Sequence, residues 1–242
     1  MELRRQVALV TGAGRRIGRA IAVALGARGM RVAVHYNGSA DGAHETARAV
    51  AAAGGEARVF QADLAEGTAP GQLVDAVAEQ YGALRVLVNS AATMQRTPVG
   101  EVTLEAWDAM FALNLRAPFF AAQAAAARMQ EGGAIVNIAD LAAFESWPAY
   151  VPHGITKAGV VQMTRALARA LAPRVRVNAV APGAVLLPDS WDDAARERLA
   201  RTTPLARLGS ASDVAGAVLY LLDADYVTGE TLVVDGGRHV RC

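Results

Sequence analysis

The chain has 242 residues, and cysteine and lysine are almost absent from it. Its single cysteine is Cys242, so no internal disulfide can form, which fits a reducing cytoplasm. Aromatic residues make up only 5% and the net charge is +1, which leaves neither a basic field for nucleic acid nor a strongly acidic surface. Charges interrupt every apolar run before it reaches membrane-spanning length. Met1-Glu2-Leu3-Arg4-Arg5 leads directly into an apolar segment, with no secretory leader. No spacing among the four histidines and Cys242 resembles a metal site. The expectation is a cytoplasmic protein with a small-molecule substrate and no nucleic acid, membrane or metal partner.

What is present is a compact apolar chain, 53% hydrophobic and 19% charged, of a size for one domain spanning 1–242. Short Val/Ile/Leu-rich runs read as strands buried on both faces: Gln6–Val10, Arg31–His35, Ala57–Phe60, Leu84–Val88, Ala134–Ile138, Val175–Ala181 and Thr231–Val234. Helix-period segments lie between them at Gly18–Ala27, Ala43–Ala53, Gly71–Tyr81, Leu104–Gln130, Ala149–Leu171 and Ser212–Leu222. Thr103 and Ser212 read as N-caps, and Pro70 suits a first turn. This alternation predicts an α/β fold, a Rossmann-type doubly wound sheet of seven parallel strands flanked by helices. The segment 186–201 carries Pro188, Asp189, Trp191, Asp192 and Asp193 and is expected to form a loop-helix lid over a substrate site.

After the first strand comes Thr11-Gly12-Ala13-Gly14-Arg15-Arg16-Ile17-Gly18, and then a helix. Glycines at such a turn let backbone N–H groups approach a pyrophosphate at a helix N-terminus. The motif resembles the TGxxxGxG of the short-chain dehydrogenase/reductase family, with Arg16 at the middle glycine. Further segments carry the same resemblance in the same order: Asp63-Leu64 after the third strand, Asn89-Ser90-Ala91-Ala92 after the fourth, Asn114 within N-L-R-A-P-F-F, Arg176-Val177-Asn178-Ala179-Val180-Ala181-Pro182-Gly183, and Val227-Thr228-Gly229-Glu230 with Asp235-Gly236-Gly237. The resemblance implies a nicotinamide cofactor held by Thr11, Gly12, Gly14, Ile17, Gly18, Asp63, Leu64, Asn89, Ala91, Pro182 and Gly183. It also implies a homotetramer paired through the two long helices.

Charge selects the cofactor. The second strand ends His35-Tyr36-Asn37-Gly38-Ser39, without the acid that would hold an unphosphorylated ribose. Arg15 and Arg16 can pair a 2′-phosphate, with His35 and Ser39 as further donors, so NADP(H) is expected. Arginine at position 16 is similar to the pteridine reductase branch of the family, and so is Asp140.

The family's chemistry rests on Ser, Tyr and Lys with an assisting Asn. Here the lysine is Lys157, the only lysine in the chain, and Asn114 is the asparagine. Four residues before Lys157, where the family has tyrosine, stands His153, and at the serine position stands Asp140. Three readings remain open. His153 is the acid/base, since imidazole titrates near neutrality; Tyr150 supplies a phenol from one turn earlier; or the site only binds cofactor. Met94, Trp147 and Trp191 are candidate pocket walls, and Met94 stands where the pteridine reductases tend to have a ring-stacking phenylalanine. The leading expectation is an NADPH-dependent reductase of a small carbonyl or C=N substrate, pteridine-like among others. The alternative is a catalytically silent NADP(H)-binding protein with a regulatory or scaffold role.

Overall fold

The computed structural model describes residues 1–185 and 192–240. Seven strands, β1 (Val7–Val10), β2 (Arg31–Tyr36), β3 (Glu56–Gln61), β4 (Val86–Asn89), β5 (Gly133–Ile138), β6 (Val175–Pro182) and β7 (Thr231–Val234), form one sheet in the order β3-β2-β1-β4-β5-β6-β7. Every pairing is parallel. Helices α1 (Arg16–Ala27), α2 (Ala40–Ala52) and α8 (Ala211–Asp223) pack on one face. The other face is covered by α3 (Ala69–Tyr81), α5 (Ala117–Arg128) and α6 (Val151–Leu171). The order reverses beside β1, and in such sheets the crevice outside the carboxyl ends of the strands at that point receives the ligand.

Three expected elements differ, each for a local reason. The single helix expected over Leu104–Gln130 is α4 (Leu104–Phe111), a π-helical turn (Ala112–Arg116) and then α5. Pro118 has no N–H to give the Asn114 carbonyl one turn back, which favours the wider turn. The cap of α8 is Ser210, in a reciprocal capping box with Asp213, and Ser212 lies in its first turn. Helix α6 starts at Val151, so Pro152 sits where a missing N–H costs nothing and Tyr150 becomes the non-helical cap residue. Thr103 caps α4 as expected, accepting from the Ala106 N–H at 3.2 Å. Of the expected lid, 193–201 is helix α7 (Asp193–Arg201), capped by Asp192. Residues 186–191, with Trp191, lie outside the described residues, as does Cys242. No helix among the described residues is long and apolar enough to cross a membrane, and no group of three His, Cys, Asp or Glu there is placed to hold a metal.

The glycine turn is pinned from three sides. Gly12 adopts φ +64°, and a Cβ there would lie 2.8 Å from the Ala91 Cα. The Thr11 hydroxyl oxygen accepts from the Ser90 and Ala91 N–H groups at 2.9 and 3.0 Å, tying the end of β1 to the end of β4. Beneath the turn lies His35, buried, with Nδ1 accepting the Gly12 N–H at 3.0 Å and Nε2 facing the Ala62 carbonyl at 3.1 Å. These partners require the Nε2–H tautomer. Both ring nitrogens are therefore spent inside the fold, which corrects the expectation that His35 donates to a cofactor phosphate.

Burial holds the His35 imidazole below its ordinary value of 6.5, with the Ala62 carbonyl and Asp63 opposing the shift. Between pH 6.5 and that lowered native value the unfolded chain binds a proton that the folded chain refuses. Stability from the neutral ring is thus complete above this window and is lost as pH falls through it. Urea unfolding from pH 7.5 to 5 is expected to show this loss. His35→Gln is expected to be less stable at pH 7.5 by roughly 1–3 kcal/mol and to have a flatter pH profile; an equally steep profile would assign the loss to other groups.

Candidate active site

The site gathers where β4 and β5 end, against the first turns of α6. Asn114 lies in the π-helical turn and is buried. Its Oδ1 accepts the Thr93 N–H at 2.8 Å, and its Nδ2 donates to the Thr93 carbonyl at 2.8 Å and to Thr156 Oγ1 at 3.3 Å. The carboxamide thus clasps the backbone of one residue, Thr93, through the two peptide groups that flank its Cα, and holds that part of the loop after β4 against α6. Its donors are used within the protein, so Asn114 positions the site.

Lys157 is enclosed, and its ammonium donates to the Ile138 carbonyl at 2.9 Å. Burial lowers its pKa from 10.5 to about 8, while the Asp140 carboxylate pulls the other way. Asp140 follows β5, and its Oδ1 accepts the Ala142 N–H at 2.8 Å. His153 lies one turn before Lys157, with Nδ1 3.3 Å from the Thr93 carbonyl and Nε2 3.4 Å from Asp140 Oδ2. The imidazole is 2% exposed and the Asp140 side chain 24%, so the carboxylate is the face of the pair that opens outward. Tyr150 packs edge-on against Trp147, ring centroids 6.3 Å apart, and lies before the helix that presents His153 and Lys157. Trp147 is half-buried, its indole N–H held by Glu145 at 2.9 Å. Met94 is 51% and Phe144 50% exposed.

On the nucleotide side, Gly14 and Gly18 are buried, Ile17 packs partly into the core, and Arg15 and Arg16 are exposed where α1 begins. Arg16 adopts φ +54°, the left-handed backbone that glycine holds without strain. Ser39 stands at the N-terminal end of α2 without a side-chain capping bond, beside Gly14, where a Cβ would lie 3.3 Å from the Ser39 Cβ. Asp63 is exposed after β3, with one carboxylate oxygen on the Ala65 N–H at 3.0 Å. The Leu64 side chain belongs to the core, and Ala91 is half-buried beneath the glycine turn. Asn89 turns its amide inward to Asn137 Oδ1 at 2.9 Å, which leaves its backbone as the part a ligand can meet. Pro182 ends β6, and at Gly183 a Cβ would lie 2.5 Å from the Asp235 Cβ.

The structure adds residues that sequence reasoning passed over. Asn137 donates to Thr164 Oγ1 at 2.9 Å, so Asn89, Asn137 and Thr164 form a buried polar chain from β4 across β5 to α6. Polar residues inside apolar runs were the available signal. Thr93 acts through its backbone and leaves no such signal.

The comparisons with known proteins agree with this geometry. Residues 12–239 match the family model described as enoyl-(acyl carrier protein) reductase. A 3-oxoacyl-[acyl-carrier-protein] reductase of Synechocystis is 39% identical over 238 residues, covering 96% of each chain. One from Staphylococcus aureus is 36% identical over 240 residues, covering 96% of this chain and 98% of its own. A solved Serratia marcescens short-chain dehydrogenase/reductase variant superposes with a TM-score of 0.92 at 36% identity, covering 99% of this chain and 100% of its own. The chain belongs to the short-chain dehydrogenase/reductase family, whose members are oxidoreductases built on this seven-stranded sheet.

Proposed function

We propose that the protein is an NADPH-dependent reductase that adds hydride to a small carbonyl substrate. The observation that carries this reading is the juxtaposition of the enclosed Lys157 ammonium with Asp140 and His153, at strand ends that also present the glycine turn. The residues fit a dinucleotide. Close backbone packing at Gly12 and Gly183 leaves room only for glycine, so main-chain groups can approach a ligand there. Thr11, Gly12, Gly14, Ile17 and Gly18 would cradle the pyrophosphate, with Asp63, Leu64, Asn89 and Ala91 along the adenosine side and Pro182, Gly183 and Lys157 along the nicotinamide side. Arg15, Arg16 and Ser39 would hold a 2′-phosphate, and the next acid after β2 is Asp41, in the first turn of α2. When bound, the cofactor supplies the hydride. The protein's own groups orient the carbonyl and deliver the proton.

Two substrate classes follow. The relatives named 3-oxoacyl-[acyl-carrier-protein] reductase favour a 3-oxoacyl thioester. Asp140 and Arg16 keep the pteridine-like reading open, although Met94 offers no aromatic face to a pterin ring. The silent binder is favoured by one observation, the burial of His153 where the family has a phenol. A cofactor-oxidation screen of 3-oxoacyl thioesters, activated ketones, quinones and dihydropterins separates the readings: turnover is expected with a carbonyl substrate, and cofactor binding without turnover on any of them overturns the reductase reading.

NADPH is expected to bind more tightly than NADH. Arg16→Gly is expected to reduce that preference about 10- to 100-fold through loss of a charged hydrogen bond. The same change exchanges a strained backbone for a relaxed one, so the melting temperature is not expected to fall. Calorimetric titration of both cofactors and a thermal melt read the two effects, and an unchanged preference would exclude Arg16 as the discriminating contact.

NADPH affinity is expected to weaken as pH rises through about 8, where Lys157 loses its charge. For folding the sign is opposite. From about 8 to 10.5 the unfolded chain holds a proton that the folded chain has released, so the free protein gains stability as pH rises there. Lys157→Met is expected to flatten both curves. A wild-type affinity constant from pH 7 to 9.5 would assign the ammonium no part in binding.

A homotetramer is expected. Phe119 and Phe120 on α5 are 39% and 41% exposed beside an open groove lined by Phe111, Leu115 and Met163, an apolar face suited to the same face of a second copy. Light scattering at micromolar concentration is expected to give four chains, and Phe120→Glu fewer; a wild-type monomer would overturn the assignment.

A further inference from the structure

We infer that Asp140 is the group that hands the proton to the substrate, and that His153 is a positioning residue holding that proton in reserve behind it. The inference rests on the reductase reading and fixes which atom of the site meets the carbonyl oxygen.

The argument starts from hydrogen-bonding capacity. An imidazole has two nitrogens, and at His153 both face oxygen atoms. The Thr93 carbonyl can only accept, so Nδ1 must carry a hydrogen to bond it. In the neutral ring Nε2 then has a lone pair and no proton. It points at Asp140 Oδ2, which is also an acceptor when ionised. Two lone pairs facing each other are unfavourable, and one proton placed between them removes the conflict. That proton can reside on Oδ2, giving a neutral acid beside a neutral ring, or on Nε2, giving a carboxylate beside an imidazolium. Either arrangement stores one transferable proton on the same line.

Access decides which partner delivers it. The His153 ring is 2% exposed and has no nitrogen left over, whereas the Asp140 side chain is 24% exposed. A carboxylate has about four lone-pair directions. Asp140 uses one on the Ala142 N–H and one on His153, so it retains directions for a ligand. A substrate oxygen can therefore reach Asp140 without displacing anything, and can reach the imidazole proton only through Asp140. The distances of 3.3 and 3.4 Å are long for such bonds, as catalytic contacts often are before a substrate closes them.

The step balances as follows. The reduced nicotinamide gives a hydride to the carbonyl carbon, and the C=O π pair moves onto oxygen. The Asp140 carboxyl O–H breaks and the alcohol O–H forms. NADPH becomes NADP⁺, and the carboxylate is left facing the neutral ring. Solvent then returns one proton through the exposed edge of Asp140. The charged neighbour of the couple is the Lys157 ammonium, which acts on Asp140. Tyr150, the cap residue just before α6, is the nearest titratable residue earlier in the chain, and segments 90–95, 112–115 and 138–144 contribute no ionisable side chain besides Asp140.

The tests separate the couple from the reductase reading. In nitrogen-15 spectra of the cofactor-loaded protein, which has four histidines, His153 in its neutral form is expected as the Nδ1–H tautomer. His35 is expected as the opposite tautomer and reports that each variant is folded. A neutral His153 found as Nε2–H overturns the couple whether or not the protein turns over. On the substrate identified by the screen, Asp140→Asn is expected to lower kcat at least about 100-fold, the usual scale of general acid catalysis, measured at saturating NADPH because the same change removes the carboxylate that supports the Lys157 ammonium. His153→Gln, which can keep the bond to Thr93 but cannot store a proton, is expected to lower kcat about 10-fold with KM unchanged. It should also move the alkaline limb of the pH profile, because the transferable proton is then held by one group instead of being shared by two. A fall for His153→Gln as large as that for Asp140→Asn, with the limb unmoved, makes the imidazole the direct donor and overturns the inference. So does an Asp140→Asn variant that keeps more than a third of its activity. Absence of turnover in the wild type, with the expected tautomer seen, overturns the reductase reading and the proton delivery with it.

Discussion

The two hydrogen bonds between the Asn114 carboxamide and the backbone N–H and carbonyl of Thr93 are the constraint on which the site depends. An amide side chain that accepts from the peptide before a residue and donates to the peptide after it restrains both backbone torsions of that residue. The Thr93 carbonyl then has one lone pair on Asn114 and another toward His153, so the clasp orients the imidazole as well as the loop. Its third bond, to Thr156, carries the same restraint into α6. The clasp is possible because the chain takes a π-helical turn where Pro118 withholds a backbone donor, which sets Asn114 apart from the register of the surrounding helices.

A second economy concerns charge. An ammonium taken fully out of water is costly, and one carbonyl at 2.9 Å offsets only part of that cost. The remaining compensation is electrostatic, from Asp140, and the same carboxylate faces His153. Asp140 therefore stands between an ammonium that favours its ionised form and an imidazole with which it shares a proton. Its charge is tied to the state of both, so substitution at any of the three positions perturbs the other two. Their effects should not be added as if independent.

The architecture was legible because both-face burial writes itself as short apolar runs, and the glycine turn because Gly12 and Gly18 stand where no side chain fits. The site was legible only by resemblance and by position, as with Lys157. What stayed hidden was direction. His35 and His153 are both buried imidazoles, and nothing in their sequence surroundings tells that one is bound into the scaffold of the glycine turn while the other faces a carboxylate. Pro118 was a readable interruption of the long helix, yet a strong apolar period on both sides concealed it. The start of α6 at Val151, which removes Tyr150 from the helical face of Lys157, depended on recognising Pro152 as a first-turn residue rather than a distortion.

The scarcity of lysine has a consequence for covalent chemistry. A typical protein of this size offers amine reagents many surface targets, and their reactions say little about any one site. Here the only lysine side chain is enclosed within the site, and its lowered pKa leaves an appreciable neutral fraction near pH 8. Lysine acylation in this protein therefore measures admission to the candidate site around Lys157. Whatever fills or closes that site also shields the protein's whole supply of lysine.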